Sequence, residues 1–329
     1  MELIGATRDG REVGYIPYSV DMEVGGENRF VIDVPRGAWS GDLDHDMLIF
    51  IPYTEYGGII GEIESTNNPM EVYCKGYLWR GLLQRKIICP PSGQDYYTIS
   101  GDANACIRQL ITNIYADPLM RGSDATAGVT ISSFSFDRYT DLLSGITKML
   151  KTVDYRPEIR YIPEGTGGYV EIRAVPIKNY SATIEYSEDD DIKLVADDVR
   201  NGVNHLICLG SGELSARTVV HLFCDSSGTI GTAQSFFGRD EITEVFDYPS
   251  AADETELINS GKERFEEVKS KKKFDASVGR IEEELQVGDI ISGRDYVTGI
   301  NVVKPIERKI LRIEREIPEI EYRLEGESS

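Results

Sequence analysis

Cysteine, histidine and long apolar runs are all scarce in this 329-residue chain. Its five cysteines, Cys74, Cys89, Cys106, Cys208 and Cys224, contain no Cys-x-x-Cys pair. An odd number of thiols scattered through strand-like segments suits a reduced, buried set better than a disulfide framework, and a reducing compartment for folding. The longest apolar runs, such as Met47 to Ile51, fall far short of a membrane span, and no charged-then-apolar leader opens the sequence. The expectation is a soluble chain that its own N-terminus does not export and that inserts into no membrane. Basic residues are outnumbered, 35 Lys and Arg against 56 Asp and Glu, for a net charge of −21. Nucleic-acid grip comes mainly from cations that neutralise phosphates, so a DNA- or RNA-gripping role is not expected. No Gly-x-Ser-x-Gly elbow, His-Glu-x-x-His helix, catalytic cysteine signature or short-period repeat appears.

What is present is mostly strand. Over residues 1–100, Phe30, Ile32 and Val34 alternate with polar neighbours, Met47 to Ile51 is continuously apolar, and turn residues separate Ile59–Ile63 from Glu71–Lys75, which predicts a small barrel or sandwich. Near residue 101 the period changes. Ala103, Cys106, Ile107, Leu110, Ile111, Ile114 and Tyr115 predict a helix capped by Asp102 and stopped by Pro118. Leu142, Leu143, Ile146, Met149, Leu150 and Val153 predict a second, ending at Pro157, and the glycines at 165, 167 and 168 predict a hairpin. Residues 101–185 are thus expected to form an α+β module. Glu188 to Asp191 reads as a solvated linker, since it lacks the glycine and distal glutamate of a calcium loop. A second β-barrel is expected over 186–235 and 276–329, with a helical insertion at 236–275 whose helix carries Leu257, Ile258, Phe265 and Val268, is capped by a Ser250/Asp253 box, and ends in Lys269 and Lys271–273. The fold class is α+β, mainly β.

Chemistry-bearing residues are few. His45 stands in Asp44-His45-Asp46, which a polar loop explains better than a metal. His205 and Cys208, like His221 and Cys224, lie three apart on predicted strands and so point to opposite faces, which argues against a Cys/His metal cluster. Glu62 and Glu64 share one strand face and are the candidate carboxylate pair of a hydrolase, though strand alternation explains them equally. Trp39 and Trp79 are candidate glycan platforms, with core or interface packing the simpler reading. The run from Val203 to Phe223 begins like a phosphate loop, with Gly210-Ser211-Gly212 after an apolar strand. However, Arg217-Thr218-Val219-Val220 continues as strand, and neither a helix nor a Gly-Lys-Ser/Thr follows, so the glycines turn one strand into another.

Strand, Leu209-Gly210-Ser211-Gly212-Glu213, a short gap, Arg217 and strand again resemble the tail-hub (baseplate-hub) proteins of long-tailed bacteriophages and related phage-tail-like particles. Gly76-Tyr77-Leu78 with Leu82-Leu83 and Arg85 is similar to that family's glycine, short helix and arginine at the end of its first barrel. Leu285 to Ile291, containing Gly288-Asp289, and the closing Glu319 to Tyr322 are similar to its C-terminal strands. The resemblance covers essentially the whole chain in matching order. It implies a non-enzymatic homotrimer with two related β-barrels per chain, a pseudo-sixfold ring joining the tail tube or a distal tail protein to a spike, with a tape-measure protein among its neighbours. It implies virion localisation at the tail tip, no cofactor or metal, and DNA passing through an acidic channel without being held. Gly76, Arg85, Gly210, Gly212, Glu213, Arg217, Gly288 and Asp289 are its structural and interface residues, with Glu213 and Arg217 a charge pair at the turn. Unlike many siphophage relatives, the sequence ends soon after the last hub strand, so any lytic function is expected on another protein. The alternative is a peptidoglycan-degrading or otherwise carbohydrate-active protein on a β scaffold.

Overall fold

The computed structural model describes residues 1–182, 185–186, 192–278, 285–315 and 317–324. Two compact units divide them: Met1–Lys193, Ala276–Gly293 and the chain from Val303 through its last described strand make the first, Leu194–Asp275 with Arg294–Val302 the second. The fold is α+β and mainly β. The acidic run from Glu188 to Asp191 lies outside the described residues.

The first unit opens with β1 (Ile4–Ala6), β2 (Glu12–Tyr15), β3 (Ser19–Val24), β4 (Arg29–Pro35), β5 (Leu48–Phe50), β6 (Gly57–Ser65) and β7 (Glu71–Leu78), which pair in the order β3-β4-β7-β6-β5-β1-β2. Alternation drives burial. Val20, Met22 and Val24 of β3 and Phe30, Ile32 and Val34 of β4 point into one core, and the residues between them face outward. The apolar run at 47–51 has a different cause. Ile49 and Ile51 join that core, whereas Leu48 and Phe50 point the other way into a second core shared with the helices, so neither face of β5 is wet. A short helix, α1 (Trp79–Gln84), follows β7.

Next come β8 (Ile87–Ile88), β9 (Thr98–Asp102), α2 (Ala103–Leu110) with a π turn at Ile111–Tyr115, β10 (Met120–Gly122), β11 (Thr130–Ser135), β12 (Thr140–Asp141), α3 (Leu142–Lys151), β13 (Tyr155–Glu164) and β14 (Gly167–Pro176). Asp102 caps α2 as its side chain accepts from the Asn104 and Ala105 N–H groups. The expected stripes are the buried ones: Cys106, Ile107 and Leu110 on α2, Ile146, Met149 and Leu150 on α3. The α3 stop differs from expectation. Asp154 turns the chain back at φ +59°, so α3 ends well before Pro157, which lies inside β13. β13 and β14 form the expected hairpin, Glu164 opposite Gly167.

After the strands β15 (Glu185–Tyr186) and β16 (Ile192–Val199), the second unit is built on β17 (His205–Leu209), β18 (Val219–Cys224), β19 (Ile230–Gly231) and β20 (Thr243–Asp247), ordered β19-β18-β17-β20, with β20 parallel to β17. α4 (Glu254–Val268) covers one face, burying Leu257 and Phe265 against Leu206, Cys208 and Leu222. Gly261 lets it come close, since a Cβ there would lie 2.6 Å from the Cys208 Sγ. The helix thus covers the inner face of this sheet. Its cap also shifts from the expected Ser250/Asp253: the Asp253 side chain accepts from the Glu256 N–H, and Glu256 reaches back to the Ala252 N–H.

The chain closes with β21 (Lys271–Val278), β22 (Ile290–Arg294), β23 (Asn301–Glu314) and β24 (Ile317–Leu324). β24 pairs with β23, and β23 pairs with β3 in the register Val20↔Ile313 to Val24↔Lys309. Leu311 and Ile313 thereby complete the N-terminal core. The last strands extend the first sheet, where apolar parity seats them, rather than closing a second barrel with residues 203–223. Neither sheet closes by hydrogen bonds among the described residues; the long sheet stops at β2, which pairs with β1 alone.

Candidate functional site

The sequence motifs occupy three separate places. In the first, Gly76 of β7 lies opposite Phe30 on one side and Ile60 on the other. A Cβ there would sit 1.9 Å from the Ile59 carbonyl oxygen and 2.7 Å from the Phe30 ring. Only glycine fits without moving backbone. Gly76→Ala is expected to lower unfolding stability by about 1–3 kcal/mol, the overpacking range; an unchanged urea midpoint would contradict that fit. The neighbouring Tyr77 is held by Arg85, whose guanidinium donates to the phenol oxygen and lies 4.1 Å from the ring centroid, while Arg29 lies 5.2 Å from it.

The second place is the glycine turn. The Gly210 N–H donates to the Thr218 carbonyl at 2.8 Å, and the Thr218 N–H to that of Ser211 at 2.9 Å, so the chain folds back directly from β17 into β18. Gly212 takes φ +99°, and a Cβ there would meet the Ala216 oxygen at 2.5 Å. Arg217 does not pair with Glu213 among the described residues. Its Nε donates to the Gly210 oxygen at 3.0 Å, and its guanidinium pairs with Asp247 on β20. The arginine thus ties the turn to the sheet edge, leaving Glu213 exposed beside Leu214. Leu214 stands at φ +49° and is 95% exposed, a leucine in a strained conformation presented to solvent.

The outer face of this sheet carries the histidines. His205 Nδ1 is 2.6 Å from a Glu241 carboxylate oxygen, its Nε2 is 2.8 Å from His221 Nδ1, and its ring stacks on Phe223 at 4.4 Å. Cys208 and Cys224 are buried on the opposite face, where burial pushes the Cys208 thiol up to about 11. Val219 and Val245 also stand on the outer face, 46% and 55% exposed. His45 is a loop residue, its N–H bonded to Asp44 at 2.7 Å.

The third place is buried. Asp289, fully enclosed, accepts from Arg156 Nε at 2.8 Å and Nη2 at 3.3 Å, and from the N–H groups of Lys178 at 3.1 Å and Gln286 at 3.2 Å. Gly288 precedes it at φ +96°. Nearby, Glu55 pairs with Arg80 at 3.0 Å and Lys309 at 2.7 Å, and Lys309 also donates to Gln286 at 2.9 Å. Burial alone would raise the Glu55 carboxyl, but Lys309 and then Arg80 outweigh it and hold it at about 2. The sequence reading named Asp289 and missed Glu55, Arg80, Arg156 and Lys309.

The hydrolase candidates are ion-paired: Lys75 bridges Glu62, at 3.1 Å, and Glu64 on an open sheet face. Trp79 is core, its ring 6.1 Å from that of Tyr161. Trp39 is half-buried at the rim of a groove of about 400 Å³ that it shares with Tyr15, Tyr18 and Met47.

No protein family and no curated protein matches the sequence. Among solved structures, the chain is similar to a tail protein from Neisseria meningitidis, at 13% identity and TM-score 0.44, over 100% of this chain and 97% of that one. It is similar to a prophage tail protein from Listeria monocytogenes, at 12% identity and TM-score 0.47, over 100% and 96%. It is also similar to a prophage tail protein from Shewanella oneidensis, at 9% identity and TM-score 0.48, over 99% and 98%.

Proposed function

We propose that the chain is a structural hub at the tip of a phage tail or phage-tail-like particle. In this reading three copies form a ring that joins the tail tube to the tip or spike and lines a channel through which DNA passes. The observation that carries it is a face of the second unit that is exposed among the described residues, where Leu214, Val219 and Val245 stand on a turn and sheet fastened from within by Arg217. Apolar groups on a rigid frame mark a surface built to be covered by another protein. The family resemblance carried by the motif order supports a further copy of this chain as that partner. A net charge of −21 suits a lumen that repels the nucleic acid it conducts.

Immunogold labelling of intact particles tests the location. Label confined to one end of the tail is expected, and label along the tube or absent from the particle would overturn the reading. Arg217→Ala tests the surface. It removes one hydrogen bond and a partly exposed ion pair, so folding should lose only about 1 kcal/mol. Association measured by sedimentation should weaken about tenfold, or about 1.4 kcal/mol, because the turn is no longer held for docking. Unchanged assembly would remove Arg217 from this role.

A further inference from the structure

A cleft of about 100 Å³ in the first unit is lined by Glu55, Arg80, Arg156, Glu158 and Arg160 among others. Two of its arginines are almost wholly buried, Arg80 at 6% exposure and Arg156 at 5%. Their hydrogen bonding is incomplete. Arg80 donates through Nε to Glu55, and its two terminal amino groups, which keep some solvent contact, have no protein acceptor among the described residues. Arg156 commits Nε and Nη2 to Asp289 and leaves Nη1 without one. Arg160 contacts Glu158 at 3.0 Å, but Glu158 is shared with Arg173.

The local charge does not balance. Arg80, Arg156, Arg160, Arg173 and Lys309 face Glu55, Glu158, Asp289 and Glu171, which lies opposite Arg160 on β14, five cations against four carboxylates. A guanidinium cannot shed its proton in a protein, so the arginines keep their charge. Water would satisfy the free N–H groups but would not neutralise the excess charge beside the buried Arg80 and Arg156. An anion answers both needs. The volume, equal to about three waters at roughly 30 Å³ each, is too small for a nucleotide or a sugar. We propose that this cleft binds one small inorganic anion, of chloride to phosphate size, on the free N–H groups of Arg80, Arg156 and Arg160. The bound ion would pin the turn before β6, the start of α1 and the first half of β13 to one another.

The full-length protein tests this by thermal unfolding at fixed pH and ionic strength, with sodium gluconate, whose chain the cleft cannot hold, replaced stepwise by chloride or by phosphate. The expected result is a melting temperature that rises with ligand concentration as a binding linkage requires, accompanied by chloride-35 line broadening. If phosphate reverses the broadening, the cleft takes the oxyanion; if it does not, chloride is the ligand. Arg80→Gln removes the main donor but can fail to fold, so Arg160→Gln, whose side chain is 31% exposed, serves beside it. It should fold and lose at least half of the anion-dependent rise. Equal melting temperatures in all three salts would leave only water in the cleft and overturn the proposal. A rise that Arg160→Gln does not diminish would place the anion elsewhere and overturn it equally.

Discussion

Glu55→Gln is expected to destabilise the folded chain by about 3–5 kcal/mol at pH 7, the range for a buried ion pair that loses one partner. The carboxylate answers two cations, Arg80 at 3.0 Å and Lys309 at 2.7 Å, and both are almost fully buried. A glutamine keeps the shape and removes the charge, so both cations lose their counter-charge in a dry environment. The effect is tied to pH. The folded carboxyl is held at about 2, below its ordinary 4.5, so its contribution is complete above about 4.5 and is lost as pH falls towards 2. Wild-type stability should therefore drop through that window, and the variant, already destabilised, should drop less. Urea unfolding at pH 7 and pH 3 reads both effects. Equal midpoints for the two proteins at pH 7 would show that Glu55 has no such burden.

Asp289→Ala should cost a similar amount, about 3–5 kcal/mol, for a related reason. It strands the Arg156 guanidinium and also leaves the N–H groups of Lys178 and Gln286 without their acceptor. Asp289→Asn retains some acceptors and should cost less. The sharper check is the pair: Arg156→Met with Asp289→Leu removes both charges and should recover most of the loss, since apolar replacement of a whole buried pair is often close to neutral. If the double variant is as unstable as the sum of the single ones, the two residues are not coupled as the geometry has them.

Local order was readable where one segment fixes its own structure. The stripes of α2 and α3, the Asp102 cap and the β13–β14 hairpin depend on spacing and turn chemistry within a few residues. Strand partnership was not readable, because alternation says which side of β23 is apolar and nothing about β3 being its neighbour. The same gap explains the arginine at the glycine turn. Glu213 is the acid near Arg217 in sequence, but β20 runs parallel to β17 and delivers Asp247 instead. Lys309 did leave a trace, since it shares its parity with the buried Leu311 and Ile313. A lysine on the apolar side of a strand signals a buried partner, although the partner's identity, Glu55, needs the fold.

The pairing of β3 with β23 sets a schedule as well as a shape. Residues near position 20 receive their final hydrogen-bond partners only after residues 309–313 have left the ribosome, so the chain has high contact order. Until then the β3 edge offers open backbone groups to any passing strand. Any delay in making the last part of the chain therefore lengthens the time for which that edge stands open.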